Sequence, residues 1–132
     1  MKSNERKVAR VLVVDDDLAV RDLVAAMLES GGYPVDVASN GKEALTKLAS
    51  EGYEVIITDL VMPEQEGIET IKLIRRDYPT VKVIAMSGAF GGDYLRIAEF
   101  LGAHGTIAKP LRIQTVLDAV RNVLKDEPGK SD

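Results

Sequence analysis

The chain has 132 residues, 45% of them hydrophobic and 29% charged, with a formal net charge of −4. A chain of that size buries one core and not two, and no Lys/Arg block marks a nucleic-acid surface. There is no cysteine for a disulfide or thiolate metal site, no apolar run near the roughly 20 residues that span a bilayer, and no signal-peptide core in "MKSNERK", so a cytoplasmic single domain without membrane contact is expected.

Short β-branched runs alternate with helical patterns. The first strand is expected at 10–14 (RVLVV) and runs straight into Asp15, Asp16 and Asp17. A helix follows, with apolar residues at Val20, Leu23, Val24, Met27 and Leu28 and a stop at Gly31-Gly32. The second strand, 34–38 (PVDVA), leads to a helix carrying Ala44, Leu45, Leu48 and Ala49. The third, 54–58 (EVIIT), ends at Asp59, and its helix carries Ile68, Ile71 and Ile74. The fourth, 81–86 (VKVIAM), is followed by Ser87 and by a helix from about Asp93 to Leu101, halted by Gly102. The fifth, 105–108 (GTIA), delivers Lys109 and a last helix with Ile113, Val116, Leu117, Val120 and Val123. Five β-α units with short connections predict an α/β fold, a parallel sheet covered by helices on both faces. Continuous apolar strands such as "VLVV" and "VII" fit burial on both sides. Residues 1–8 read as a tail, and 126–132 ("DEPGKSD" from 126) as a second tail or the start of a linker.

Ligands of an open α/β sheet bind beyond the carboxyl ends of its strands. Four strands send Asp15-Asp16-Asp17, Asp59, Ser87 and Lys109 to that edge. Three negative charges from Asp15, Asp16 and Asp59 against one positive charge on Lys109 leave −2, which one divalent cation would balance. An all-oxygen donor set favours Mg²⁺. A hard cation beside a carboxylate, an ammonium and a hydroxyl equips a site for phosphoryl transfer, with a carboxylate able to form an aspartyl phosphate. Asp59, alone at its strand end, is the expected nucleophile. Ser87 would meet a phosphoryl oxygen only after transfer, as a position sensor does.

These residues resemble the receiver domain of bacterial two-component response regulators, the chemotaxis-regulator-like family. The likeness covers about residues 9–125 and rests on "VLVVDDD", on "DLVMPEQEG" with Pro63 and Gly67 four and eight residues after Asp59, on "VIAMSGA" and on "AKP". It implies a doubly wound (βα)5 three-layer sandwich with strand order 2-1-3-4-5. It also implies that Asp59 takes a phosphoryl group from a phosphohistidine on a sensor kinase or histidine phosphotransfer protein. By the same resemblance Asp16, Asp59 and the Val61 carbonyl ligate Mg²⁺ directly, Asp15 acts mostly through water, Lys109 pairs with the phosphoryl group and Ser87 hydrogen-bonds it. The Lys109–Pro110 bond is implied to be cis. Two positions depart from the family pattern: Thr106 stands where an aromatic switch residue is usual, and Leu111 where Phe is common.

Other residues are open to plainer readings. Asp17 suits a helix cap better than a third ligand. His104, the single histidine, reads as an ordinary exposed residue in a loop. Leu95 and Phe100 fall off the stripe formed by Tyr94, Ile97, Ala98 and Leu101, and belong either to a partner patch or to the core. Gly91-Gly92 is either a hinge or a helix-start turn. Val61 and Ala89 flank the site with apolar groups that would not orient water, so a slowly decaying phospho-form is expected.

Among rival functions, a haloacid-dehalogenase-like phosphatase wants Thr or Val where Ala19 stands, and a flavodoxin-like FMN protein lacks its phosphate loop. A receiver-like module that binds partners without phosphorylation is the main alternative, because of Thr106. Too few residues follow the last helix for a helix-turn-helix, so output through an unidentified protein partner is expected rather than direct nucleic-acid binding. Whether the chain is stand-alone or cut from a longer protein, and whether it dimerises through the fourth and fifth helices, the sequence leaves open.

Overall fold

β1 is Val11–Val14, four consecutive buried residues. Alternate side chains of a strand point to opposite faces, so Val11 and Val13 enter one half of the core and Leu12 and Val14 the other. The computed structural model describes residues 8–60, 66–88 and 92–125, with backbone alone at 66 and 92–95. Within them four more strands follow, β2 Val35–Ala38, β3 Val55–Asp59, β4 Lys82–Ser87 and β5 Gly105–Ala108. They alternate with α1 Leu18–Ser30, α2 Gly41–Ser50, α3 Glu66–Asp77, α4 Gly92–Phe100 and α5 Ile113–Lys125. The sheet is parallel throughout, in the order β2-β1-β3-β4-β5. This is the doubly wound 2-1-3-4-5 arrangement that the resemblance implied.

Each face of the sheet has its own half-core. Val24 and Leu28 of α1 and Val116, Val120 and Val123 of α5 pack with Val13, Ile57 and Ile84. Ala44 and Leu48 of α2, Ile71 and Ile74 of α3 and Ala98 of α4 pack on the other side with Leu12, Ile56 and Val83. The strand order reverses between β1 and β3, and the crevice beyond their carboxyl ends is where such sheets place ligands.

Four strands begin one residue later than the apolar runs suggest. Arg10, Pro34, Glu54 and Val81 belong to the incoming turns: the Val11 N–H donates to the Pro34 carbonyl at 3.0 Å and the Arg10 N–H to the Glu54 carboxylate at 2.7 Å. Asp59 and Ser87 are themselves the last residues of β3 and β4. The helical stripes that meet the sheet are narrower than the apolar periodicity suggests. Leu23 is 48% exposed and Ile113 47%, and Ala49 is exposed as well. Leu23 sits about 100° around α1 from Val24, outside the Val20, Val24, Leu28 row that faces the sheet, and Ile113 opens α5. Phe100, at the end of α4, is 89% exposed, which takes it out of the core; the surroundings of Tyr94 and Leu95 lie outside the described residues.

Candidate functional site

β1 stops because its next residue cannot join an apolar core uncompensated. Asp15 is nonetheless fully buried, Asp16 is exposed, and Asp17 turns the chain into α1. The Asp17 carboxylate accepts from the Ala19 and Val20 N–H groups at 3.0 and 3.3 Å, which makes it the N-cap that its position suggested. Its own N–H donates to Asp15 Oδ1 at 2.9 Å. Asp15 Oδ2 is buried with no hydrogen-bond partner. Burial, and then the charges of Asp59 and Asp16, push the Asp15 carboxyl up to about 6 despite the Asp17 N–H.

Asp59 closes β3, and it is 6% exposed. Carboxylate oxygens of Asp15, Asp16 and Asp59 all lie within 4.8 Å of one another. Lys109, just past β5, brings its Nζ to 3.5 Å from Asp59 Oδ2, a charge contact longer than a tight hydrogen bond. Ser87, 2% exposed, ends β4, and its carbonyl accepts from the Lys109 N–H at 3.1 Å. The Lys109–Pro110 peptide is cis. Three carboxylates, one with a buried orphan oxygen, form a donor set that fits a hard divalent cation.

Not every expected residue falls at this edge. Thr106 is half-buried two residues below Ala108 on β5, where with His104, Gly105, Ala119, Asn122 and Val123 it lines a groove of about 420 Å³ between β5 and α5. No site carboxylate lines that groove. Leu111 packs partly buried beside α5. Val61, Ala89, Gly91 and the Met62-Pro63 turn lie outside the described residues, as do the readings placed on them; Gly92 opens α4.

Two glycines matter more than sequence position reveals. A Cβ on Gly67, in the first turn of α3, would strike the Asp59 carbonyl and lie 2.6 Å from the Leu60 carbonyl, so only glycine lets α3 start directly against the end of β3. Gly88 lies against the Lys109 stem. The spacing of Gly67 from Asp59 was a usable signal; nothing in the sequence around Gly88 announces that contact.

A five-stranded doubly wound sheet with an acidic triad and a lysine at its switch point defines a class of α/β signalling domain. The family model described as the response regulator receiver domain matches residues 11–121. The chain belongs to that family. Among characterised relatives, the transcriptional regulatory protein CpxR homolog of Haemophilus influenzae is 34% identical over 125 residues, 94% of this chain and 54% of that protein. The transcriptional regulatory protein ResD of Bacillus subtilis is 36% identical, over 94% of this chain and 50% of its own length. The chain therefore spans about half, or less, of the curated relatives it matches. The chemotaxis response regulator CheY4 of Vibrio cholerae superposes with a TM-score of 0.80 at 31% identity, covering 89% of this chain and 99% of that one. The match extends to a receiver domain protein of Methanospirillum hungatei, with a TM-score of 0.83 at 28% identity over 91% of this chain and 96% of that one.

Proposed function

We propose that this receiver domain, residues 9–125, is a phosphorylation-dependent switch of a two-component or phosphorelay system. Asp59 is the phosphoacceptor. One of its carboxylate oxygens forms the new P–O bond as the P–N bond of a donor phosphohistidine breaks, and the departing imidazole takes up a proton. The donor is a sensor histidine kinase or a histidine phosphotransfer protein. The observation that carries this reading is the placing of Asp59 among two further carboxylates and the Lys109 ammonium, beside the orphaned Asp15 Oδ2.

Asp15, Asp16 and Asp59, with the Val61 carbonyl that the resemblance adds, would hold Mg²⁺, which when bound neutralises phosphoryl oxygens. Lys109 supplies a positive charge beside Asp59. Ser87 donates to the transferred group, and drawing its hydroxyl inward shifts α4, a population shift that alters affinity for an output protein. The domain acts in the cytoplasm and turns over only its own phosphoryl group; among the described residues no helix is long and apolar enough to cross a membrane.

A second reading, a module that binds its partner irrespective of phosphorylation, draws on Thr106 and the open groove beside it. Intact mass after incubation with acetyl phosphate, with and without Mg²⁺, separates the two. A single Mg²⁺-dependent phosphoryl adduct, absent in Asp59→Asn, is the expected outcome. No adduct on folded wild type would leave the second reading standing.

A further inference from the structure

We infer that Arg21 is a positioning residue for the turn that carries Asp15 and Asp16. Its N–H closes the first turn of α1, donating to the Asp17 carbonyl at 2.9 Å. Its side chain leaves the helix for the corner between β2 and α2, where Nη1 donates to Ser39 Oγ at 2.6 Å. That side chain is 14% exposed, and its Nε is buried with no hydrogen-bond partner. Asp22 Oδ1, 3.7 Å from Nε, is beyond hydrogen-bond reach. A largely buried cation thus spends its short contact on a neutral hydroxyl. Burying charge in that way is costly, and an apolar chain of similar length would fill the same space without the cost. Packing therefore does not call for arginine here; the reach to Ser39 does.

Ser39 is itself well held. Its N–H donates to Glu43 Oε1 at 2.7 Å, and the carbonyl of Ala38 before it accepts from the Asp15 N–H at 3.2 Å. The Asp17 N–H donates to Asp15 Oδ1 at 2.9 Å. These contacts close a ring that runs from Asp15 to Ala38, along the chain to Ser39, across to Arg21, and back through Asp17 to Asp15. Asp16 lies in the backbone of that ring. Of the three carboxylates that gather within 4.8 Å it is the exposed one, so no surrounding core holds its side chain in place. The backbone on either side must do so. Without the Arg21–Ser39 contact the ring opens, and α1 loses its side-chain tie to the end of β2. Arg21 thereby sets where the Asp16 carboxylate stands relative to Asp15 and Asp59.

This inference rests on the reading that Asp15, Asp16 and Asp59 hold Mg²⁺. Its test is Mg²⁺ titration, followed by the amide shifts of Asp15 and Asp17, in wild type, Arg21→Met, Ser39→Ala and the double variant. Met keeps the length of the stem and removes the donors. Each single change is expected to weaken Mg²⁺ binding about tenfold, because losing a group that orients a metal ligand costs about 10–100-fold in affinity. The double variant should bind no more weakly than either single one, since both remove the same contact. In the metal-free variants, amide exchange at Asp15 and Asp17 should speed up more than at Ile56 in the centre of the sheet. Tyr53→Phe controls for general loosening: it removes the 2.6 Å hydrogen bond from the Tyr53 hydroxyl to Asp36 Oδ2, just before β3, and should bind Mg²⁺ as wild type does. Unchanged affinity in both single variants, losses that add in the double variant, or an equal loss in Tyr53→Phe each overturn the positioning role. Should Arg21→Met fail to fold, Ser39→Ala set against Tyr53→Phe decides the matter by the same criteria. Wild type whose Asp15 and Asp17 amides do not respond to Mg²⁺ fails differently, removing the metal reading and this one with it.

Discussion

Lys109 Nζ and Asp59 Oδ2 meet at 3.5 Å from strands that are not neighbours, since β4 runs between β3 and β5. The lysine thus reaches over the end of β4, and its charge lies beside a nearly buried carboxylate that shares the site with two more. It is a counter-charge to that carboxylate in the metal-free protein. Lys109→Met should tighten divalent-cation binding, because a competing positive charge leaves. A Coulomb energy of about 1 kcal/mol in a partly solvated site corresponds to roughly fivefold in affinity. Mg²⁺ titration of both proteins measures this directly, and equal or weaker binding in the variant would place the cation elsewhere.

Asp15 makes the metal-free domain sensitive to pH. Its carboxyl stands at about 6 in the folded chain, against an ordinary 3.8. Between these values the native state keeps a proton that the unfolded chain has released, so stability falls as pH rises from about 4 to about 6 and then levels off. The full difference is worth up to about 3 kcal/mol. Asp15→Asn cannot ionise. It should flatten that slope and raise the stability of the metal-free protein at pH 7, by about 1–3 kcal/mol. Urea unfolding in EDTA at pH 4.5 and 7.5 tests this; a variant with the wild-type slope would exclude Asp15 as its source.

The parts of this site that were legible in the sequence are those where a strand runs straight into a polar residue. An apolar run ending in Asp15-Asp16, Asp59, Ser87 or Lys109 names both the strand and the edge it faces, and parallel topology brings the edges together. Helix periodicity is a blunter guide. It ranks Leu23, Ala49 and Ile113 with the core because they are apolar and roughly in phase, yet the stripe that meets a sheet is narrow and ends before the helix does. Contacts between elements far apart in the chain left no local mark at all. The approach of Gly88 to the Lys109 stem needs β4 and β5 side by side. The role of His104 was hidden in the same way.

His104 stands just before β5, exposed as expected, but its ring is part of the sheet. Its Nδ1 accepts from the Val83 N–H at 3.0 Å while its own N–H donates to the Val83 carbonyl at 2.7 Å. The imidazole thus takes the place of a backbone carbonyl and extends the β4–β5 pairing by one residue below the Ile84–Gly105 pair. Val83 itself is fully buried, so its N–H has few other acceptors in reach. His104→Ala keeps the backbone half of the pair and removes the ring half, and should destabilise the domain by about 1–2 kcal/mol, the usual cost of a buried donor left unpaired. The loss should be local: amide exchange at Val83 speeds up more than at Leu12 or Ile56 in the centre of the sheet. Unchanged stability together with unchanged Val83 exchange would mean that water replaces the ring at no cost. Because the acceptor must be an unprotonated Nδ1, His104→Asn, whose shorter side chain also offers an acceptor, should recover part of the protection at Val83, whereas His104→Lys should recover none.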